Sequence, residues 1–495
     1  MRKYPLVFLM LLISACALNQ PSRIVITATF LPPTPPQSTA VEPVHTIPTD
    51  PPSFNYTVQA GDTLNQIASD NGVTLDDLVS LNNIADPDNL SVGQVIMLPT
   101  PPRQQGSDFK IIPDSRLVRA PGSSQFDVAA FISQQPGYLS TAFDTIEGDV
   151  YTAAQVVQRI ALEYSVDPRL LLALLEYKAH LISNRTPTQD EQDYPLGAPT
   201  TPTSDRKGLY LQLAWAADTL NAGYYGWNLR GLSSIEFTDK TRILFARTLN
   251  AGTVGVQYLL GQTTDYATWQ QQVSASGLYA TYVKLFGDPF AGALDPVVPD
   301  DLQQPPLTFP FPAGQTWYFT GGPHGGWDDG SAWSAVDFAP PDDLTNKTSS
   351  CFLSDYFATA VADGVIARTA EGTVILDLDG DEDESTGWTI LYLHMSAQDR
   401  VTQGTHVKAG DKIGRPSCEG GVSTGTHVHI ARRYNGEWIP VVCDSTCVVK
   451  RPTLVMSGWT FYDLPGQLYQ GGALKGSQRI VADQGRNNPE NQVTW

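Results

Sequence analysis

The chain has 495 residues, 51 of them acidic and 31 basic, and a formal net charge of −20 at pH 7. Such an acidic chain disfavours nucleic acid as a partner, because its charge repels the phosphate backbone. The length is enough for about three domains, and beyond the first fifteen residues no segment is apolar enough to cross a membrane.

Residues 1–15 have the composition of a secretory signal peptide. They begin with basic residues, continue with an apolar run too short for a membrane span, and end with small residues. The sequence Ile13-Ser14-Ala15-Cys16 also matches a bacterial lipobox, which implies cleavage before Cys16 and lipid attachment to its sulfur. An ordinary cleaved signal is the alternative, but Cys16 is the only cysteine before residue 351. We therefore expect an extracytoplasmic lipoprotein, anchored to a bacterial membrane and facing the cell wall.

Two segments of different composition follow. Residues 16–54 are rich in Pro, Thr and Ser, which predicts an extended linker. Residues 55–99 instead predict a strand at Tyr56–Val58, two capped helices with apolar residues at helical spacing, and a closing strand at Val95–Leu98. This segment resembles a LysM repeat along its whole length. The resemblance implies a small α+β fold (βααβ) that binds glycan chains containing N-acetylglucosamine; a spacer that has lost binding is the alternative.

Residues 108–292 predict a helical middle domain. Apolar residues recur at helical spacing over Ala153–Ser165 and Pro168–Ile182, and Asp167 followed by proline is a typical helix start. The second stretch resembles the opening of lysozyme-like lytic transglycosylases, and Glu176 matches their catalytic glutamate. The resemblance implies an all-α lysozyme-like domain that binds glycan.

The resemblance is incomplete around Glu176. Gln212 and Asn250 match polar positions of that family, but Tyr177 stands where a serine normally follows the glutamate. Glycan cleavage would require Glu176 to act as a general acid with a pKa raised by burial. A non-catalytic scaffold in which Glu176 is an ordinary helix-surface residue is the alternative.

Residues 305–463 predict a β-rich domain in which histidines are concentrated. Five of the chain's seven histidines lie beyond residue 320. His427 and His429 are two apart in a β-branched run, so both side chains leave the same face of a strand. Two histidines and one aspartate would suit a catalytic zinc site, because such a site keeps three protein ligands and one open position.

Five positions in this domain resemble the lysostaphin-type zinc endopeptidases that cut peptidoglycan cross-links, especially their beta-lytic branch. The resemblance rests on the segments GGPH, SAVDFA, YLHM and GGVSTGTHVH, and on a spacing of thirteen residues between the first histidine and the aspartate. It implies a mostly antiparallel sheet with zinc in a groove, bound by His324, Asp337 and His429. It also implies that His394 and His427 are the catalytic histidines.

The chemistry of these residue types agrees with hydrolysis. Zinc polarises a carbonyl and lowers the pKa of water, and the sequence has no HExxH helix to supply a glutamate base. A neutral His394 or His427 could accept the proton from water, while its protonated partner stabilises the oxyanion. The sequence leaves open which histidine has which role, and scattered surface or packing histidines are the alternative.

The four later cysteines suit an oxidising compartment. Cys351, Cys418, Cys443 and Cys447 allow three disulfide pairings. We favour Cys351–Cys418 together with Cys443–Cys447, the second of which closes a tight loop. A structural zinc site is the alternative, but the two C-x-x-C motifs that it would need are absent.

Two further segments have an unusual composition. Asp377, Asp379, Asp381 and Asp383 supply closely spaced oxygens of the kind that calcium prefers. The EF-hand pattern fails there because its glycine comes too early, and a solvated hairpin tip explains the charges equally well. Residues 464–495 are rich in Gly, Gln and Asn, which predicts a loosely packed tail.

Together these features predict a multidomain, lipid-anchored zinc endopeptidase. It would hydrolyse peptide bonds in peptidoglycan stems or cross-bridges, and its LysM repeat would hold it on the wall. A non-catalytic peptidoglycan-binding or regulatory protein is the main alternative, although it predicts damaged zinc ligands. A bifunctional hydrolase in which Glu176 also cuts glycan is a further alternative.

Overall fold

The computed structural model describes residues 53–495 apart from short gaps. The predicted signal peptide, Cys16 and most of the linker therefore lie outside the described residues. No helix in the described part of the chain is long and apolar enough to cross a membrane. The gaps fall at residues 59–61, 65–66, 69–74, 85, 88–89, 100–103, 201–203, 444–446 and 465.

Ten helices are described, most of them between residues 114 and 286. They are α1 (Leu75–Asn82), α2 (Asp114–Leu117), α3 (Val128–Ser133), α4 (Ala153–Tyr164), α5 (Pro168–Ala179), α6 (Gln189–Asp193), α7 (Leu209–Leu229), α8 (Ala251–Gly261), α9 (Tyr266–Gln272) and α10 (Leu278–Phe286).

The described strands lie mainly after residue 316. They are β1 (Ser53–Thr57), β2 (Val95–Pro99), β3 (Gln104–Gln105), β4 (Phe143–Ile146), β5 (Asp149–Thr152), β6 (Ser234–Glu236), β7 (Arg242–Leu244), β8 (Trp317–His324), β9 (Ala335–Ala339), β10 (Ala358–Thr359), β11 (Gly364–Ala370), β12 (Thr373–Asp377), β13 (Trp388–Leu393), β14 (His406–Val407), β15 (Lys412–Gly414), β16 (Val428–Tyr434), β17 (Glu437–Trp438), β18 (Val455–Met456), β19 (Trp459–Leu464), β20 (Gln467–Lys475), β21 (Gln478–Val481) and β22 (Gln492–Val493).

The first unit has the strands and the second helix that the sequence predicts for a LysM repeat. β1 and β2 pair antiparallel over all five residues of each strand, and α1 packs against β2. The core between them consists mainly of Leu64, Ile67, Leu78, Ile96 and Leu98. The apolar positions at helical and strand spacing are thus the buried ones.

The two helices predicted in the middle domain are confirmed, with earlier ends. α4 begins with a capping box between Thr152 and Gln155, and Asp167 caps α5 by accepting from the Arg169 backbone N–H. The helices end where Ser165 and His180 adopt φ values of 54° and 53°, a left-handed conformation that cannot continue a helix.

The prediction of an all-α middle domain is wrong in detail. The region also contains the hairpin β4–β5 and the small sheet β3–β7–β6. These strands have two to four residues each, and runs that short carry too little alternation to be read from sequence.

The C-terminal domain is built on the mostly antiparallel sheet that the sequence predicts. Its nine strands follow the order β14-β11-β12-β13-β16-β9-β8-β22, with β17 paired to β16. The helices of the middle domain cover one side of this sheet, because Trp438 and Ala431 belong to the same apolar core as α4, α5 and α7. Two tyrosines of α7 also bond across the junction: Tyr224 donates to Glu437, and Tyr225 accepts from the Trp438 backbone N–H.

The prediction of a loosely packed tail over residues 464–495 is wrong. β20 and β21 join a second, four-stranded sheet, and β22 pairs with β8 at the edge of the main sheet. Four apolar residues of this segment are buried in the domain core, namely Ala473, Ile480, Ala482 and Val493. The C-terminal domain therefore extends to the end of the described chain. The Gly-, Gln- and Asn-rich composition of the segment does not indicate its few core positions.

Candidate active site

Four neighbouring strands bring the predicted site residues together. His429 on β16 lies directly opposite Asp337 on β9, and Asp337 lies opposite Gly321 on β8, the strand that ends at His324. On the other side of β16, the last residue of β13 pairs with His429, and His394 follows immediately. The sheet register therefore gathers residues that are about a hundred positions apart in the sequence.

His324, Asp337 and His429 form a buried cluster with converging ligand atoms. His324 Nε2 lies 3.0 Å from His429 Nδ1, and each of these nitrogens lies 3.3 Å from Asp337 Oδ1. The three side chains offer ligand atoms that all lie within 4.8 Å of one another. This is the set that the sequence predicts for zinc.

The backbone fixes which ring nitrogens face the cluster. His324 Nδ1 lies 2.8 Å from the Gly322 carbonyl oxygen, and His429 Nε2 lies 3.1 Å from that of Gly326. A carbonyl oxygen can only accept, so these nitrogens carry the protons and donate. The converging nitrogens therefore present lone pairs, which is the arrangement that metal-binding histidines adopt.

Asp337 Oδ1 supplies an independent sign that the cluster fits a cation. This oxygen is buried and accepts no hydrogen bond of ordinary geometry. A buried carboxylate oxygen without a donor is unfavourable, and a metal ion would satisfy it. Two imidazole nitrogens and one carboxylate oxygen are a donor set that zinc takes in catalytic sites.

His394 and His427 lie together beside this cluster. Their ring centroids are 4.5 Å apart, and His427 Nε2 lies 3.7 Å from Asp337 Oδ1. The Nδ1–H groups donate to backbone carbonyl oxygens, that of His394 to Glu419 at 3.2 Å and that of His427 to Gly425 at 2.7 Å. Burial, with the nearby His427 and His429, lowers the pKa of His394 to about 3, so His394 is neutral at pH 7 and its Nε2 is free to accept a proton.

All five residues line one cleft of about 990 Å³. Its walls come from both domains, since Arg159, Glu163 and Tyr210 of the middle domain face it alongside the histidines. Tyr469 of β20 stacks on His324, with ring centroids 4.2 Å apart and planes at 24°. These contributions are not predictable from the sequence, because they depend on which distant elements pack over the sheet.

An ion-pair network holds the middle domain at the rim of this cleft. Arg159 Nε lies 2.8 Å from Glu163 on the same helix and 3.3 Å from Glu371 of the C-terminal domain. Glu371 lies in the turn between β11 and β12, and this turn packs against the loop that holds His394. The junction between the domains is therefore next to the proposed catalytic histidines.

Glu176 does not line the cleft. Its side chain is 5% exposed, and its carboxylate accepts from the backbone N–H groups of Ile182 and Ser183 and from the Ser183 hydroxyl. It thereby anchors the turn that follows α5. Gln212 and Asn250 likewise bond to nearby loops. Glu176 is thus neither at the helix surface nor free, and glycan cleavage stays a prediction.

The favoured disulfide pairing is confirmed. Cys351 is bonded to Cys418, and Cys443 to Cys447. The first bridge lies near the cleft, since the Ser350–Phe352 segment pairs with Thr426, the residue before His427.

Three of the four aspartates predicted for calcium lie together. Asp377, Asp379 and Asp381 offer oxygens within 4.8 Å of one another, and burial, followed by the hydrogen bond to Asp379, raises the pKa of Asp377 to about 6. Asp383 instead accepts from Ser385 and Ser124. Calcium binding stays a prediction.

Comparison with known families agrees with this architecture. Residues 357–440, which include His394, His427 and His429, match the model "Peptidase family M23". Residues 56–99 match "LysM domain", and residues 110–298 match "LasA, N-terminal domain". The chain therefore contains, in order, segments similar to a LysM domain, to the N-terminal domain of LasA and to M23 peptidases.

Individual relatives cover only parts of the chain. Protease LasA of Pseudomonas aeruginosa is 25% identical over 296 residues, which are 56% of this chain and 65% of that protein. The chain thus spans just under two thirds of that relative. The secreted LysM effector ECP6 of Passalora fulva is 44% identical over 70 residues, or 14% of this chain and 30% of that protein. Among solved structures, the M23 metalloprotease pseudoalterin has 22% identity and a TM-score of 0.28, covering 36% of this chain and 96% of its own.

Proposed function

We propose that the chain is a zinc-dependent endopeptidase that hydrolyses peptide bonds in peptidoglycan stems or cross-bridges. The observation that carries the proposal is the cluster of His324, Asp337 and His429, with two lone pairs and one unsatisfied carboxylate oxygen directed at one point. A non-catalytic wall-binding protein would have no need for that arrangement beside a cleft.

His324 Nε2, Asp337 Oδ1 and His429 Nδ1 would hold the zinc ion. When bound, zinc supplies a Lewis acid that polarises the scissile carbonyl and lowers the pKa of water. Asp337 reduces the positive charge at the site, and the carbonyl oxygens of Gly322 and Gly326 keep the rings in the ligating tautomer.

His394 and His427 would move the proton. Each has its Nδ1–H fixed on a backbone carbonyl oxygen, so each can use Nε2 as a base. The buried His394 is neutral at pH 7, so its Nε2 carries a lone pair for the proton of water, while the low pKa of about 3 weakens it as a base. His427 lies closer to Asp337 and, once protonated, suits stabilisation of the oxyanion. The opposite assignment uses the same two atoms and stays open.

The remaining parts of the chain would bring the site to its substrate. The LysM domain would bind glycan and raise the local concentration of peptide bonds without touching the reacting atoms. The two disulfides support an oxidising, extracytoplasmic location, and a lipid on Cys16 would anchor the protein at the membrane. Glycan binding by the middle domain, its lysozyme-like character and cleavage by Glu176 rest on sequence resemblance alone.

The proposal is tested by incubating the purified chain with peptidoglycan, with and without a zinc chelator, and identifying the products by mass spectrometry. New peptide amino termini should appear and should vanish with the chelator and in His429→Ala. The exposed His406 in the same domain supplies the control variant His406→Ala, which should cut normally. Unchanged muropeptides with the protein still bound to the glycan would overturn the reaction and favour a binding or regulatory protein.

Cleavage of glycan by Glu176 is tested in the same digest. If Glu176 acts as an acid, Glu176→Gln should abolish new glycan ends and leave peptide cleavage intact. Absence of new glycan ends in the wild type would leave Glu176 with the structural role that its three hydrogen bonds describe.

A further inference from the structure

We propose that Arg486, together with Lys347, forms a subsite that binds a free carboxylate of the peptide substrate. The inference rests on the proposed function, because it names the feature of a peptide that this cleft selects. Both residues line the same cleft as the histidines.

Arg486 is hydrogen-bonded to the residue that precedes His427. Its Nη2 donates to the backbone carbonyl oxygen of Thr426 at 3.1 Å, and Thr426 directly precedes His427. Thr426 is itself fixed, because its backbone N–H donates to the Ser350 carbonyl and its hydroxyl accepts from the Phe352 backbone N–H at 2.8 Å. The guanidinium therefore has a defined position relative to the reacting atoms.

The charge of the Arg486 guanidinium is not neutralised by an ion pair within the described part of the chain. Its Nη1 lies below the surface without a hydrogen-bond partner, while the residue as a whole lines the cleft. The nearby Asp342 does not supply one, since its oxygens accept from the Ser354 hydroxyl and the Asp355 backbone N–H, both at 2.7 Å. Arginine stays charged at any ordinary pH, so a ligand acceptor would relieve a charge that the protein leaves unpaired.

A second cation lies beside the same aromatic ring. Lys347 Nζ is 4.6 Å and the Arg486 guanidinium carbon 5.8 Å from the ring centroid of Phe352. Lys347 contacts one carboxylate, that of Asp355 at 3.6 Å, and the Asp355 side chain is 71% exposed. An ion pair to so exposed a partner is weak, so Lys347 can exchange it for a substrate carboxylate.

The chemistry of the pair selects a carboxylate. A guanidinium and an ammonium both attract a carboxylate through its charge and its accepting oxygens, whereas an amide offers one oxygen and no charge. Peptide stems carry free carboxylates at chain ends and on acidic side chains. Placed beside His427, the subsite would fix one such group and thereby orient the neighbouring peptide bond for attack.

The test compares two muropeptides that differ only in a free or an amidated carboxyl group beside the scissile bond. The wild-type chain should have a kcat/KM at least about tenfold higher for the carboxylate form, because a charge-assisted hydrogen bond separates the two. Arg486→Gln should bring this ratio close to one, and Arg486→Lys should keep part of the preference. Arg479→Gln, which changes an exposed arginine of the same C-terminal segment, is the control and should leave the ratio unchanged.

The ratio of the two kcat/KM values distinguishes loss of carboxylate recognition from a general distortion of the active site. If loss of the bond to Thr426 displaces His427, cleavage of both muropeptides falls together and the ratio stays high, which would overturn the inference. Equal cleavage of both forms by the wild type would overturn it as well.

Calorimetric binding of the same muropeptides distinguishes the two proposals. No cleavage, with a binding preference that depends on Arg486, would overturn the proposed reaction alone. Equal affinity for both forms would overturn the carboxylate subsite, whether or not a bond is cut.

Discussion

Replacing Asp218 by asparagine changes the charge at the contact between the middle domain and the loop that follows His324. Asp218 on α7 accepts a hydrogen bond from the Gly330 backbone N–H at 2.6 Å. Burial, and next the carboxylate of Asp328, raise the pKa of Asp218 to about 7; Asp329 adds to this, while the Gly330 bond and the charge of Arg230 oppose it. Asparagine keeps the accepting oxygen and removes the charge.

The sign and size of the effect follow from linkage. The pKa of Asp218 in the folded protein is raised above the ordinary value of 3.8 for this carboxyl group. The stabilisation by the protonated carboxyl is therefore fully present below about pH 4 and is lost as pH rises through about 7. Each unit of pKa shift corresponds to about 1.4 kcal/mol, so ionisation of Asp218 lowers the free energy of unfolding by at most about 4 kcal/mol. The Asp218→Asn variant should therefore match the wild type at pH 4 and exceed its stability at pH 8.

Thermal unfolding at several pH values measures this difference. With about 2–4 °C per kcal/mol for a unit of 150–250 residues, the Tm of Asp218→Asn should exceed that of the wild type by up to about 16 °C at pH 8. Asp149→Asn, which removes an exposed charge from the same domain, is the control and should show no such pH dependence. A constant difference between pH 4 and pH 8, or a less stable variant at pH 8, would refute the reasoning.

Three further substitutions test other parts of the account. Tyr469→Ala removes the ring stacked on His324 and should weaken zinc affinity about tenfold in a chelator competition; an unchanged affinity would contradict a positioning role. Gly321→Ala places a Cβ 2.3 Å from a carboxylate oxygen of Asp337 and should abolish zinc binding, measured as metal content; a full zinc equivalent would show that the strand can yield. Trp438→Ala empties a buried position at the domain junction and should cost about 3–5 kcal/mol in denaturant unfolding; a loss below about 1 kcal/mol would mean that the junction contributes little.

The parts of the fold that sequence predicts are those set by local patterns. The caps at Thr152 and Asp167 and the apolar spacing after them fix α4 and α5 within a few residues. The alternation around His427 and His429 likewise places both on one face of the strand. These signals lie within a dozen residues of the features they predict, so no knowledge of distant packing is needed.

The parts that sequence does not predict depend on packing between distant segments. Tyr469 and Arg486 come from a segment whose composition is typical of a loose tail, yet they lie beside His324 and Thr426. Glu176 fits a helix-surface position by its sequence, and only the turn after α5 shows that it is buried and bonded. A single sequence holds no local sign of such contacts.

The central claim is most directly tested by titrating the metal-free chain with zinc and following peptide cleavage in purified peptidoglycan. The account predicts that activity rises with added zinc and reaches its plateau at one equivalent per chain. His429→Ala should show no rise, and His406→Ala should reproduce the wild-type curve. Activity that is independent of zinc, or that persists in His429→Ala, would contradict the assignment of His324, Asp337 and His429 as the catalytic metal site.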